Sequence, residues 1–231
     1  MERHFEQELE ALKEQLLLMG GRAEALVHKA VESLRRLDEG LAREVVADDH
    51  AIDRMEIDIE ERCLRLLALQ QPMARDLRFI TAALKINNDL ERVGDHAVNI
   101  AEGALRLAGA PLVKPLVDIP RMAELSGGML HDALDAFVRR DAETARRLCA
   151  SDDVVDALNR QVSHDLVEVM ARDPATVARA VELLLVARNL ERVADLATNI
   201  AEEVVFIAEA RVIKHHAEDA DRPGEDEFSR S

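Results

Sequence analysis

Apolar residues recur at helical spacing along almost the whole chain: Leu9, Leu12, Leu16 and Met19, then Leu26, Ala30, Leu34 and Leu37, then Ile57, Cys63, Leu64 and Leu67. Steps of three and four keep such residues on one side of an α-helix, and no period-two alternation of strands competes with them. Breakers divide the pattern into six long segments, roughly 4–38, 41–69, 73–108, 119–140, 142–171 and 174–212. Pro72 and Pro174 stand where a helix begins, the second after Asp173, a residue type suited to capping. Pro111, Pro115 and Pro120 crowd into "GAPLVKPLVDIP", which reads as a linker. The expected architecture is all-α: two tandem pseudo-repeated three-helix bundles, 1–110 and 119–213, joined by a linker at 111–118. The acidic tail 214–231 has a single Phe and is expected to be disordered.

The halves are copies. "DLERVGDHAVNIAE" at 89–102 returns as "NLERVADLATNIAE" at 189–202, and ten of the fifteen positions from 88 to 102 match those from 188 to 202. Gly20-Gly21 answers to Gly127-Gly128, and Asp49 with Asp53 to Asp152 with Asp156, in the same order. The glycine pairs each lower helix propensity by about 1 kcal/mol per residue, so their recurrence implies a close helix approach or a kink.

Composition narrows the picture. There is no Trp or Tyr and only five Phe among 231 residues, so the core is built of Leu, Val, Ala and Ile, the materials of helix-on-helix packing. The net charge of −16 excludes binding to a nucleic-acid backbone, which needs clustered Lys and Arg. Cys63 and Cys149 sit in apolar helical patterns and read as core residues, not a disulfide framework. The N-terminus is charged from its second residue and no run of 18 apolar residues occurs, so a soluble, cytoplasmic protein without membrane insertion is expected.

Candidate chemistry lies in the carboxylates. At 100° per residue, Glu91, Asp95, Asn99 and Glu102 fall within a stripe about 80° wide, opposite the apolar Ile86, Val93, Ala97 and Ile100. A solvated helix face accounts for an ordinary stripe of this kind. Here Glu91 and Asp95 are like charges at i, i+4 without a Lys or Arg at the next step, and Glu191, Asp195, Asn199 and Glu202 repeat the arrangement. Asp49 with Asp53, and Asp152 with Asp156, place a second pair on the middle helix of each bundle, while Glu56 and Glu60 have only Asn159 and Ser163 as counterparts. If the second and third helices lie side by side, four carboxylates converge. An all-oxygen cluster suits Mg or Mn, and holds Fe or Zn when ions share ligands. Asn99, Glu102, Asn199 and Glu202 are candidates for further ligands or hydrogen-bond partners of the ligands.

Competing signals are weaker. No His follows a Glu by three residues, which argues against a di-iron oxidase. His96 has Leu196 as counterpart and reads as incidental, and Arg92 and Arg192 as partners of a neighbouring acidic helix. No phosphate loop, nucleophile elbow or zinc spacing is present. A carboxylate-bridged metalloenzyme and a metal-free helical scaffold stay open beside a non-enzymatic regulator.

"LERVGDHAVNIAE" and its copy, with "QPMARDLRFITAALKINNDLERVGD", "LLLMGG" and "MLHDALDAFVRRDAETARRL", resemble the PhoU family over about residues 5–210. The resemblance implies a cytoplasmic, non-enzymatic regulator of phosphate homeostasis that restrains phosphate uptake and keeps the phosphate-starvation response off. It also implies action between the ATP-binding subunit of the phosphate transporter and a sensor histidine kinase, homodimer formation, and multinuclear metal clusters at E(D)-x-x-x-D motifs. Those motifs fall on Glu91 with Asp95, Glu191 with Asp195, Asp49 with Asp53, and Asp152 with Asp156. Ala194 replaces the glycine of the first copy, Gly94, so the second site is expected to differ in geometry or occupancy.

Overall fold

The computed structural model describes residues 2–150 and 153–213; Asp152 and the tail 214–231 lie outside the described residues. The elements are helical throughout: α1 (Glu2–Arg36), α2 (Glu39–Gln70), α3 (Ala74–Leu107), α4 (Asp118–Arg139), α5 (Ala142–Cys149), α6 (Asp153–Arg172) and α7 (Val177–Glu209). A 3-10 turn at Pro174–Thr176 leads into α7, and the Asp173 side chain accepts from Ala175 N–H at its start, as the sequence implied. Asp38 and Asp141 cap α2 and α5 in the same way, accepting from Leu41 and Thr144 N–H at 3.0 Å.

One expected segment, 142–171, is two helices. The Ala150 N–H turns back to the carbonyls of Arg146 and Leu148 and closes α5. The sequence "CASDD" puts residue types that favour caps where α5 ends and α6 begins, a signal that apolar periodicity alone passes over. The connection between α3 and α4 runs over residues 108–117, and α4 starts at Asp118 and takes Pro120 into its first turn, where the missing N–H costs nothing. It is strapped to the second bundle: Lys114 pairs with Asp165 at 2.7 Å, and Arg179 donates to the Pro111 carbonyl at 2.6 Å.

The six-segment pattern forms two up-down-up bundles, α1–α3 and α4–α7, but their apolar faces merge into one core. The third helices pack on each other and so do the first. Contacts between α3 and α7 run antiparallel: Lys85 donates to both oxygens of the buried Glu203 at 3.0 and 3.1 Å, His96 Nδ1 meets Asn189 Oδ1 at 2.8 Å, and Arg106 donates to Glu182 at 2.8 Å. His96 is therefore a bundle-to-bundle contact, not an incidental polar residue. Between α1 and α4, Gly20 meets Leu134, Glu24 faces His131 at 3.5 Å, and Gly127 meets His28, again antiparallel. A Cβ at Gly20 would collide with the Leu134 side chain, whereas one at Gly21 or Gly128 would meet open space. Gly20 thus marks a close helix approach, whereas a Cβ at its counterpart Gly127 would stand at ordinary contact with His28, 3.5 Å from Nε2. No helix among the described residues is long and apolar enough to cross a membrane.

Candidate functional site

The sequence places Asp49 and Asp53 one turn apart on α2, and Glu91 and Asp95 one turn apart on α3. Antiparallel packing of the two helices brings the pairs together, as their mutual effects record. Burial, then Asp53 and Asp95, push the Asp49 carboxyl up to about 6. Burial, then Asp95, Glu56, Asp53 and Asp49, push Glu91 up to about 7. Glu56 is raised as well, by burial and then by Glu60 and Asp53. Like charges in a half-buried seam disfavour one another's ionisation, and among the described residues no Lys or Arg pairs with these carboxylates to offset them.

The closeness depends on Gly94. A Cβ there would lie 2.7 Å from Asp49 Oδ1 and 3.2 Å from Ile52 Cδ1, so only glycine lets the Asp49 carboxylate rest against the α3 backbone. One turn before Glu91, the buried Asn87 donates to the Glu56 carbonyl at 2.9 Å, while its Oδ1 is buried with no partner. His50 adjoins the seam with Nδ1 3.4 Å from Asp53. Glu56, although its counterpart is Asn159, joins the seam, and Asn87 and His50 stand beside it without having been expected from the repeat. The spacing of Glu56 three residues after Asp53, and of Asn87 four before Glu91, was the available signal.

The donor set fits a hard cation: oxygen ligands, an excess of negative charge and an orphaned buried acceptor beside them. No group of three or more His, Cys, Asp or Glu among the described residues is drawn in around one point, so an incoming cation has to pull these carboxylates together. Asn99 and Glu102 are not part of the seam. Successive i, i+4 steps rotate by 40°, so the stripe on α3 drifts from α2 toward α7. Asn99 lines a cleft of about 250 Å³ between α3 and α7, and Glu102 pairs with Arg106 at 3.4 Å.

The second copy is built differently. Arg192 donates to Asp195 at 3.1 Å and Arg160 pairs with Asp156 at 3.7 Å, whereas among the described residues no Lys or Arg pairs with the corresponding carboxylates of the first copy. The position of Arg160 corresponds to Ile57. Asp195 is still raised, by burial first, with Arg192 opposing and Asp156 adding. Arg92 turns to Asp89 at 3.9 Å instead, so both arginines pair within their own helix rather than with a neighbour. Glu191, Asn199 and Glu202 are half-buried on α7.

Two bundles in tandem, each carrying carboxylates from its second and third helices, define a helical repeat protein with an acidic patch per repeat. The model of the PhoU domain matches residues 16–104 and again 119–204. The chain is 42% identical over 208 residues to the phosphate-specific transport system accessory protein PhoU homolog of Aquifex aeolicus, covering 90% of this chain and 94% of that one. The homolog from Caulobacter vibrioides strain NA1000 / CB15N is 42% identical over 203 residues, covering 87% and 88%. The crystal structure of PhoU from Pseudomonas aeruginosa superposes with a TM-score of 0.87 at 38% identity, covering 90% of this chain and all of that one. That of the phosphate transport system regulatory protein PhoU from Streptococcus pneumoniae gives 0.84 at 31% identity, covering 90% and 98%. The chain belongs to the PhoU family.

Proposed function

We propose that this chain is a cytoplasmic accessory protein of phosphate transport that lowers phosphate uptake and holds phosphate-starvation signalling off while phosphate is plentiful. Family membership supports the link to phosphate transport, and the relatives' names supply it. The regulator works by contact, as a homodimer, with the ATP-binding subunit of the phosphate transporter and with the sensor histidine kinase, and has no catalytic role of its own. The observation that carries the mechanism is the first-bundle seam, where Asp49, Asp53, Glu91 and Asp95 crowd with no Lys or Arg paired to them among the described residues.

In this reading these four side chains hold a divalent or multinuclear metal, Mg, Mn, Fe or Zn, and Asp152, Asp156, Glu191 and Asp195 hold its counterpart. The bound cation neutralises the seam and clamps α2 to α3, while Gly94 admits Asp49 and Asn87 lends its free oxygen. Docking surfaces on α2 and α3 are thereby set by metal occupancy.

Deletion in the native host with a phosphate-starvation reporter tests the regulatory part. Reporter output should rise in phosphate-rich medium; output that stays low overturns the repressor reading. Elemental analysis of protein purified without chelator tests the metal part. The expected result is metal in the wild type and a loss in the Glu91→Ala/Asp95→Ala variant with helical signal retained. No metal in the wild type, with several cations supplied, removes the cluster.

A further inference from the structure

Helix α7 packs on α3, α4, α5 and α6, yet its N-terminal half carries an apolar stripe on the side turned to solvent. Val177, Val181 and Leu185 follow one another at i, i+4 and i+8 and are 41%, 40% and 46% exposed. Steps of four rotate by 40°, so the three form one ridge inclined to the helix axis, and its continuation reaches Asp173 at one end and Asn189 at the other. Val167, also exposed, borders the ridge from α6: it lies eleven residues past Asp156, on the side of α6 from which Asp156 acts on Asp195. Scattered apolar residues on a surface mean little, but an aligned ridge of them marks a place of contact.

The charges around the ridge are balanced within the chain except near its ends. Glu182 and Glu102 share Arg106, Glu168 pairs with His164 and Arg172, and Arg192 pairs with Asp195. Glu191 stands on the flank toward α6, half-buried. Asp173 accepts the Ala175 N–H through one carboxylate oxygen, and Arg188 is exposed; neither forms an ion pair among the described residues. Arg188 lies seven residues after Val181 and Asp173 eight before it, so a cation and an anion sit at matching distances, each on the order of 11 Å, on either side of the middle of the ridge. Such a surface is complementary to itself: turned through 180°, each end meets its opposite charge and the apolar middle meets its own copy.

We propose that this ridge is the surface through which two copies of the chain associate, α7 crossing α7 about a two-fold axis at Val181. Val177 of each copy then lies against Leu185 of the other, and Asp173 of each comes level with Arg188 of the other. Interdigitating ridges of this spacing cross at about −50°. The inference rests on the homodimer of the proposed function and names the face that forms it. Three or four apolar side chains are few beside the roughly 800 Å² that each partner contributes to a stable interface, so association is reversible and hangs on these residues.

Sedimentation equilibrium of the full chain between about 1 and about 100 μM tests this. The wild type should pass from monomer to dimer, and Val181→Asp/Leu185→Asp should stay monomeric with its helical signal intact. Arg188→Glu should raise Kd about tenfold, and adding Asp173→Lys to it should restore association, which a purely structural role of either residue would not do. Oxidised Val181→Cys, in a Cys149→Ser background with Cys63 buried, should give a disulfide-linked dimer, because a residue on the axis faces its own copy. Met73→Asp, which puts the same charge on the exposed apolar turn between α2 and α3, should leave association unchanged. A wild type that stays monomeric overturns the homodimer and this surface together; slowed hydrogen exchange over 177–188 on adding the transporter's ATP-binding subunit then assigns the ridge to that partner. A dimer that survives Val181→Asp/Leu185→Asp, yields to Met73→Asp, forms no Val181→Cys disulfide or is not rescued by Asp173→Lys overturns this surface and leaves the homodimer standing.

Discussion

At Gly94 the absence of one methyl group sets how near a carboxylate comes to a helix backbone. Gly94→Ala places a Cβ against Asp49 Oδ1 and Ile52, and the overpacking outweighs the gain in helix propensity. A net loss of about 1 kcal/mol in urea unfolding is expected, with divalent-cation affinity weaker by about tenfold in calorimetry. Unchanged affinity would separate Gly94 from the site. The raised carboxyls give a second prediction. Asp49 near 6 and Glu91 near 7 hold protons when folded that the unfolded chain has already released, so this pair makes stability fall as pH rises from about 4 to about 7. In chelator-treated protein the wild type should lose more melting temperature than Glu91→Gln between about pH 5.5 and pH 8, and an added divalent cation should erase the difference. The residue types and spacings of these carboxylates were legible in the sequence. So was Arg160 in place of Ile57, but the other half of the contrast between the copies was not, because Arg92 and Arg192 occupy equivalent positions and differ only in which carboxylate they turn to.

Helices α3 and α7 each belong to a bundle and to the seam between bundles. Glu203 is 2% exposed and takes its charge balance from Lys85, whose Nζ also lies 5.4 Å from the Phe206 ring centroid. Lys85→Ala strands a buried carboxylate; because Lys85 itself is half exposed, a loss of about 2 kcal/mol is expected in denaturant unfolding rather than the larger value of a fully buried pair. Glu203→Gln together with Lys85→Ala should recover part of it, since the isolated charge is then gone. Periodicity found the long helices well because a wide apolar stripe is required of each, and it failed at Ala150, where α5 and α6 share one stripe interrupted by a turn. It was also silent on α3 against α7: Lys85, His96 and Asn189 are polar residues on a helix flank, and one chain does not say which flank another helix will cover.

For the whole molecule, one core shared by two repeats predicts one cooperative unfolding transition. Circular dichroism and a probe confined to the first bundle should give coincident urea midpoints; two separated transitions would show that the bundles hold independently. Residues 1–110 alone should expose the α1 and α3 faces that α4 and α7 cover, and associate or aggregate in size-exclusion chromatography. The duplication was readable from the repeated phrase, but its consequence in space was not, since a repeat is equally compatible with two beads on a string. The antiparallel crossings of α1 with α4 and of α3 with α7 have the form of a two-fold homodimer interface written into a single chain. In a true homodimer each substitution is forced on both sides of the axis, so a Lys85 facing Glu203 would appear twice. Fusion lifts that constraint: Gly103 stands where the other half has Glu203, Ala194 where it has Gly94, and Arg160 where it has Ile57. Two halves of one ancestry are thereby free to specialise, the first keeping its acidic seam clear of Lys and Arg among the described residues and the second setting Arg160 and Arg192 beside Asp156 and Asp195.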